Sequence, residues 1–294
     1  MTTLMETRGA TPTSGTTLRA LTALEARRYA RHPLFLAGVA LLIWQVIVIS
    51  LDAARAADGV STTLVDVAIY PAFTLGLLGV FVGVHLTRSM ARSREPIEAS
   101  PTDGVNRVAA MCLACLVPGV VALVWFAWAY AVTAVWPLPA TAMPSSSVAA
   151  IRGAGIVCAV GGPLFGVMVG RWTRFPGAGL LAAFVLFGWV MLSTGALAMS
   201  ATRMSTLAHV WAPFVGWHSS DSVTGEAPWI AGGSPVWHLA YITALCGLAA
   251  TAAMLHDAWG TQRARLIRVF VLVSVLALAS LALAVAADPT RVPL

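Results

Sequence analysis

Hydrophobic positions along this chain run in long blocks, separated by shorter stretches that hold most of the charge, proline and glycine. A hydrocarbon core about 30 Å thick is crossed by about 20 apolar residues in an α-helix. Seven blocks come near that length: 34–51, 64–86, 108–135, 148–170, 178–199, 236–255 and 267–286. The pattern predicts an all-α fold, a polytopic membrane helix bundle of about seven transmembrane helices. It divides the chain into an N-terminal segment (1–33), a transmembrane domain (34–287) and a short tail (288–294). The first block follows about thirty more polar residues and is not followed by a small-residue cleavage site, so it does not read as a signal peptide.

Composition agrees with a membrane domain. The chain is 59% hydrophobic with mean hydropathy +0.82, and only 10% of its residues are charged, against about 25% in soluble proteins. All 18 Lys+Arg positions are arginine. A P-loop needs a lysine to reach the β- and γ-phosphates, and a retinal-type Schiff base needs a lysine amine. The chain therefore has neither a P-loop ATPase site nor a Schiff-base photoreceptor site. Its Ala/Arg-rich, lysine-free composition suggests a GC-rich genome.

Orientation follows from the arginines. With the N-terminus in the cytoplasm, 14 arginines fall inside and 4 outside, the latter being Arg55, Arg152, Arg203 and Arg291. The expected location is the plasma membrane of a bacterium, multi-pass, with the N-terminus cytoplasmic. The net charge of +6 then reflects this bias and attraction to anionic lipid, and needs no nucleic acid to explain it.

Small and polar residues inside the blocks refine the picture. Gly79-x-x-x-Gly83 and Gly162-x-x-x-Gly166-x-x-x-Gly170 are spacings that let helix backbones approach closely. Pro71, Pro118 and Gly161-Gly162-Pro163 are expected to kink their helices. Cys112, Cys115, Cys158 and Cys246 all lie in apolar blocks, which argues against a disulfide framework, and the C-x-x-C pair reads as two small residues on a helix face. Gln45 is the polar residue deepest in a block and the candidate for a translocation path. His85 and His256 lie at inner ends and invite the thought that they meet.

Two segments near the cytoplasmic face stand out. Residues 18–33 place Leu18, Leu21 and Tyr29 on one helical stripe with Arg27 and Arg31 opposite, as in a helix lying on the membrane surface. Glu25 interrupts the apolar stripe unless it pairs with an arginine. Residues 88–106 carry charges of both signs, and Ser100-Pro101-Thr102-Asp103 predicts a helix start with Ser100 as N-cap.

These segments carry a resemblance. Residues 25–33 (EARRYARHP) look like the amphipathic entry helix of ABC-2 type transporter permeases. Residues 95–109 (EPIEASPTDGVNRVA) look like their coupling segment, and 166–177 (GVMVGRWTRFPG) resemble their turn from span four into span five. The likeness runs over about residues 18–256 and rests on the order of the segments. It implies a permease subunit of an exporter, a homo- or heterodimer in the lipid bilayer, powered by a separate ABC ATPase subunit. ATP and magnesium would bind that partner, leaving no cofactor and no catalysis on this chain. By position, Arg94, Glu95, Ile97, Glu98 and Asp103 would contact the ATPase, and Glu25, Arg27 and Arg28 would belong to the interfacial helix. Six spans are usual in the family, so the block at 267–286 is an addition.

The external stretch 200–235 holds Trp211, Trp217 and Trp229 with His209 and His218, and Trp237 and His238 follow it. These read as an aromatic belt; a metal site with Asp221 and Glu226 is the other reading. The resemblance implies short re-entrant helices here, with 207–215 as one. Two further functional classes stand beside the exporter. A membrane-embedded enzyme would need G-x-S-x-G, H-E-x-x-H or paired buried carboxylates, and the sequence has none of these. A non-transporting anchor that holds a cytoplasmic partner would look the same in sequence.

Overall fold

The computed structural model describes residues 14–55, 69–92, 103–135, 145–173, 175–197, 203–215, 218–219, 229–230 and 233–287. Its helices are α1 (Ser14–Ala30), α2 (Pro33–Arg55), α3 (Ile69–Pro71, a π-helical stretch Ala72–Leu77, then Leu78–Arg92), α4 (Gly104–Ala114), α5 (Leu116–Val135), α6 (Ser145–Trp172), α7 (Ala178–Leu197), α8 (Arg203–Val210), α9 (Pro235–Leu255) and α10 (Gly260–Ala286). A two-residue antiparallel pairing, β1 (His218–Ser219) with β2 (Trp229–Ile230), is the only strand structure among the described residues. The chain is an all-helical bundle of the membrane type.

Five described helical stretches are long and apolar enough to cross a bilayer on their own: Ile69–Ser89, Gly104–Ala129, Ala149–Trp172, Pro235–Leu255 and Gly260–Ala286. This falls short of the expected seven. Gly15–Ala30 and Pro33–Val48 add a sixth only as one pair bent by 62°. The bend sits where Pro33 disfavours helical geometry at His32, and His32 Nδ1 accepts from the Leu34 amide at 3.3 Å. The block expected at 178–199 has a shorter apolar helix, Ala178–Ser193. Its sequence turns polar at Ser193-Thr194.

Helix α6 is central. Against it runs α3, so close that a Cβ on Gly162 would overlap the backbone of Gly76, and one on Gly166 the backbone of Val80. In return, a Cβ on Gly83 would strike the Pro163 carbonyl. Only glycine leaves room for such backbone contact. α6 continues as helix through Pro163, whose ring occupies the space a side chain at Gly79 would need, 2.6 Å away. The other flank of α6 packs along α9, and α9 along α10.

The core lies where α1, α3, α4 and α6 meet, with Tyr29, Val82, Val108, Met111 and Val167 fully buried. Large apolar side chains left exposed, such as Trp44 on α2, Phe184 and Leu192 on α7 and Leu278 on α10, form the outward face expected in lipid. At the end remote from α1, Gly233 has φ +111°, where glycine alone is unstrained, and the Ser234 amide donates to the Ala284 carbonyl at 3.0 Å. That turn joins the start of α9 to the end of α10.

Candidate functional site

The ion pairs of Glu25 and Asp257 lie at the arginine-rich end of the bundle. α1 lies there, packed along α4. It is more than a surface helix. Glu25 is only 7% exposed and Tyr29 is fully enclosed. Glu25 Oε1 accepts from Arg28 Nη1 at 3.0 Å, which is the pairing its place in the apolar stripe required. Arg27 is exposed. The Tyr29 ring meets Phe35 edge-on at 5.2 Å, and its hydroxyl reaches the Gly79–Pro163 contact. α1 thus touches the glycine seam.

The start of α4 corrects the sequence reading. The helix begins at Gly104, and its N-cap is Asp103, whose Oδ1 accepts from the Val105 amide at 3.3 Å. Ser100 had been expected in that role, with Asp103 in the first turn. A carboxylate caps through a charge-assisted bond, and Asp103 has a second reason to be held. Its Oδ2 accepts from Gln262 Nε2 of α10 at 3.1 Å. Just behind it, the Cα of Gly104 faces Asp257, 3.4 Å from where a Cβ would sit. Ser100, Arg94, Glu95, Ile97 and Glu98 lie outside the described residues.

Asp257 sits in the turn between α9 and α10 and ties it to the end of α6. Arg171 donates to Asp257 Oδ2, and Asp257 Oδ1 lies 2.6 Å from His256 Nδ1. Burial works to raise the Asp257 carboxyl, but the Arg171 and His256 hydrogen bonds and charges overcome it and hold the group below its ordinary range. Trp172 Nε1 donates to the Ala252 carbonyl at 2.9 Å, with its ring edge-on to His256 at 5.5 Å. Arg88, at the end of α3, donates to the Pro176 carbonyl at 2.7 Å and to that of Phe175.

The two inner-end histidines have separate partners. His256 belongs to the Asp257 cluster, whereas His85 faces His32 with ring centroids 5.0 Å apart. Burial, and secondarily the neighbouring His85, lower the His32 pKa, which favours its neutral form. Gln45 is half-buried on α2.

At the far end, Trp211 and Trp237 are exposed as belt residues would be. His209 and His238 are buried instead, and His238 Nε2 lies 3.0 Å from the Ala212 carbonyl. Trp217, Asp221 and Glu226 lie outside the described residues, among which no cluster of three or more metal-ligating side chains occurs. The expected helix at 207–215 is seen as α8 ending at Val210, followed by a turn.

All four cysteines are free thiols, and Cys115 donates to the Met111 carbonyl at 3.3 Å. Sequence reasoning missed Asp257, Gln262 and Arg88. Their only signal was a charged or polar residue at the end of an apolar block. No family model, no curated protein and no solved structure matches this chain.

Proposed function

We propose that this chain is the permease subunit of an ABC-2 type exporter, a dimer in a bacterial plasma membrane with its N-terminus cytoplasmic. A separate ATPase subunit carries the ATP and magnesium. One observation carries this reading: Asp103, within the segment 88–106, caps α4 and is bonded to Gln262 of α10. A push on that segment is passed at once to α4, to α1 packed on it, and to α10. Helix α10 is thereby joined to the coupling region through Gln262. By the resemblance, Arg94, Glu95, Ile97 and Glu98 would contact the ATPase, and Asp103 would tie that segment to α4 and α10.

The test is a mild-detergent pull-down of the tagged chain from its host, followed by transport in vesicles. The expected result is a stoichiometric ATP-binding protein, lost in the double variant Glu95→Arg with Glu98→Arg while the chain still folds and inserts. A chain that emerges alone refutes the reading. A partner retained without any ATP-driven transport identifies an anchor instead.

A further inference from the structure

Midway along the bundle lies a cavity of about 370 Å³, within the range of small-molecule sites. Its walls come from the π-helical stretch of α3 (Phe73, Gly76), from α6 (Cys158, Gly161), from α7, and from α9 and α10. None of its lining residues is charged. Even the thiols are turned to the fold, Cys158 donating to the Pro213 carbonyl at 3.1 Å and Cys246 approaching the Val157 carbonyl at 3.7 Å.

The cavity is built by specific residues. A π-helical turn widens the α3 backbone beside it, and such turns recur at functional sites. Opposite, α6 presents Gly161, where a Cβ would meet the Cys246 sulfur at 2.9 Å. Ala249 contributes only a methyl group from α9. On the α7 side, Val185 and Phe187 line the space while remaining 53% and 41% exposed, so the cavity opens there towards the bundle exterior.

We infer that this cavity binds one acyl chain of a bilayer phospholipid, entering beside α7. Water is excluded because it needs two to four polar partners, and the walls offer almost none. A void of this size left empty forfeits the dispersion contacts of its lining. In a bilayer, the medium at its mouth is acyl chain. The assignment rests on the cavity alone and not on the exporter reading.

The test uses the full chain in phosphatidylcholine vesicles doped with phosphatidylcholine bearing a mid-chain diazirine. After irradiation and peptide mapping, adducts are expected on the Cys158–Gly161 and Cys246–Ala249 stretches as well as on the outer face of α10. In Ala249→Phe, which fills the cavity, and in Val185→Trp, which plugs its mouth, the cavity adducts are expected to drop about tenfold while those at Leu272 and Leu276 persist. The persisting adducts and an unchanged melting temperature show that either variant is folded. Adducts confined to the outer face overturn the inference. So does labelling of the cavity by diazirine-bearing free fatty acid but not by the phospholipid. A Val185→Cys chain that forms a disulfide with a second copy overturns it as well, by placing a neighbouring chain in the mouth. Loss of the ATPase in the pull-down, with labelling intact, would refute the exporter alone.

Discussion

Helix α6 turns two unlike faces to its neighbours. Towards α3 it presents Gly162, Gly166 and Gly170, and the two backbones touch. On its flank beside α7 and α9, Cys158, Gly161, Phe165 and Met168 line a cavity. The seam with α3 is held along its length by close packing, the main source of helix association where lipid removes the hydrophobic drive. α7 packs through side chains, Ala182 and Ala183 clustering with Val80 and Phe165, with Arg88 bonded to the carbonyls just before it and the Trp189 ring on Trp211 at 4.8 Å. A helix held that way can leave space beside it.

The sharpest way to break the comparison is to add volume at the seam. Gly166→Leu is expected to cost about 3 kcal/mol or more, seen as lost expression or a collapsed melting temperature in detergent. Survival of that variant would mean that the seam is not the rigid element.

Removing a polar tie should cost less. Asp257→Asn weakens the Arg171 pair, which is part-buried, and is expected to cost about 1–2 kcal/mol. The pH dependence follows from the same carboxyl. Its folded pKa lies below the ordinary 3.8, so its contribution is complete above that value and is lost as pH falls through the lower folded value. The melting temperature of the parent chain should therefore drop more steeply than that of Asp257→Asn on acidification below about pH 4. Parallel curves would remove Asp257 from the account.

Arg88→Ala should release the start of α7 for about 1 kcal/mol, read as faster amide exchange in α7 with α3 unchanged. Smallest of all, Gly188→Ala on α7 meets nothing within 4 Å. It should stabilise the helix by up to about 1 kcal/mol, as a small rise in melting temperature. The contrast between Gly166 and Gly188 tests whether packing or mere helix propensity governs these glycines.

Much of the seam was legible in the sequence. Gly162-x-x-x-Gly166-x-x-x-Gly170 announces a close approach because small residues at four-residue spacing share one helix face. Glu25 within an apolar stripe called for an arginine, and Arg28 one turn on supplies it. The cap at Asp103 was not legible, because Ser100-Pro101 is an equally good local start. What favours Asp103 is Gln262, 159 residues away. His85 and His256 looked equivalent by depth, yet depth says nothing of which helices adjoin, and each found a different partner. The cavity left no trace in the sequence, since its lining is the ordinary composition of a membrane helix.

By itself, then, the sequence determined that this is an all-helical chain of the membrane type, without a lysine-dependent site, and that α3 and α6 carry glycine faces. Those properties depend on composition and local period, which act over a few residues. Tertiary structure alone decided which helices pair, that Asp103 and Asp257 become junctions, and that a space remains between α6 and α7. Those properties depend on contacts between residues far apart in the chain, and no local pattern encodes the geometry of such contacts.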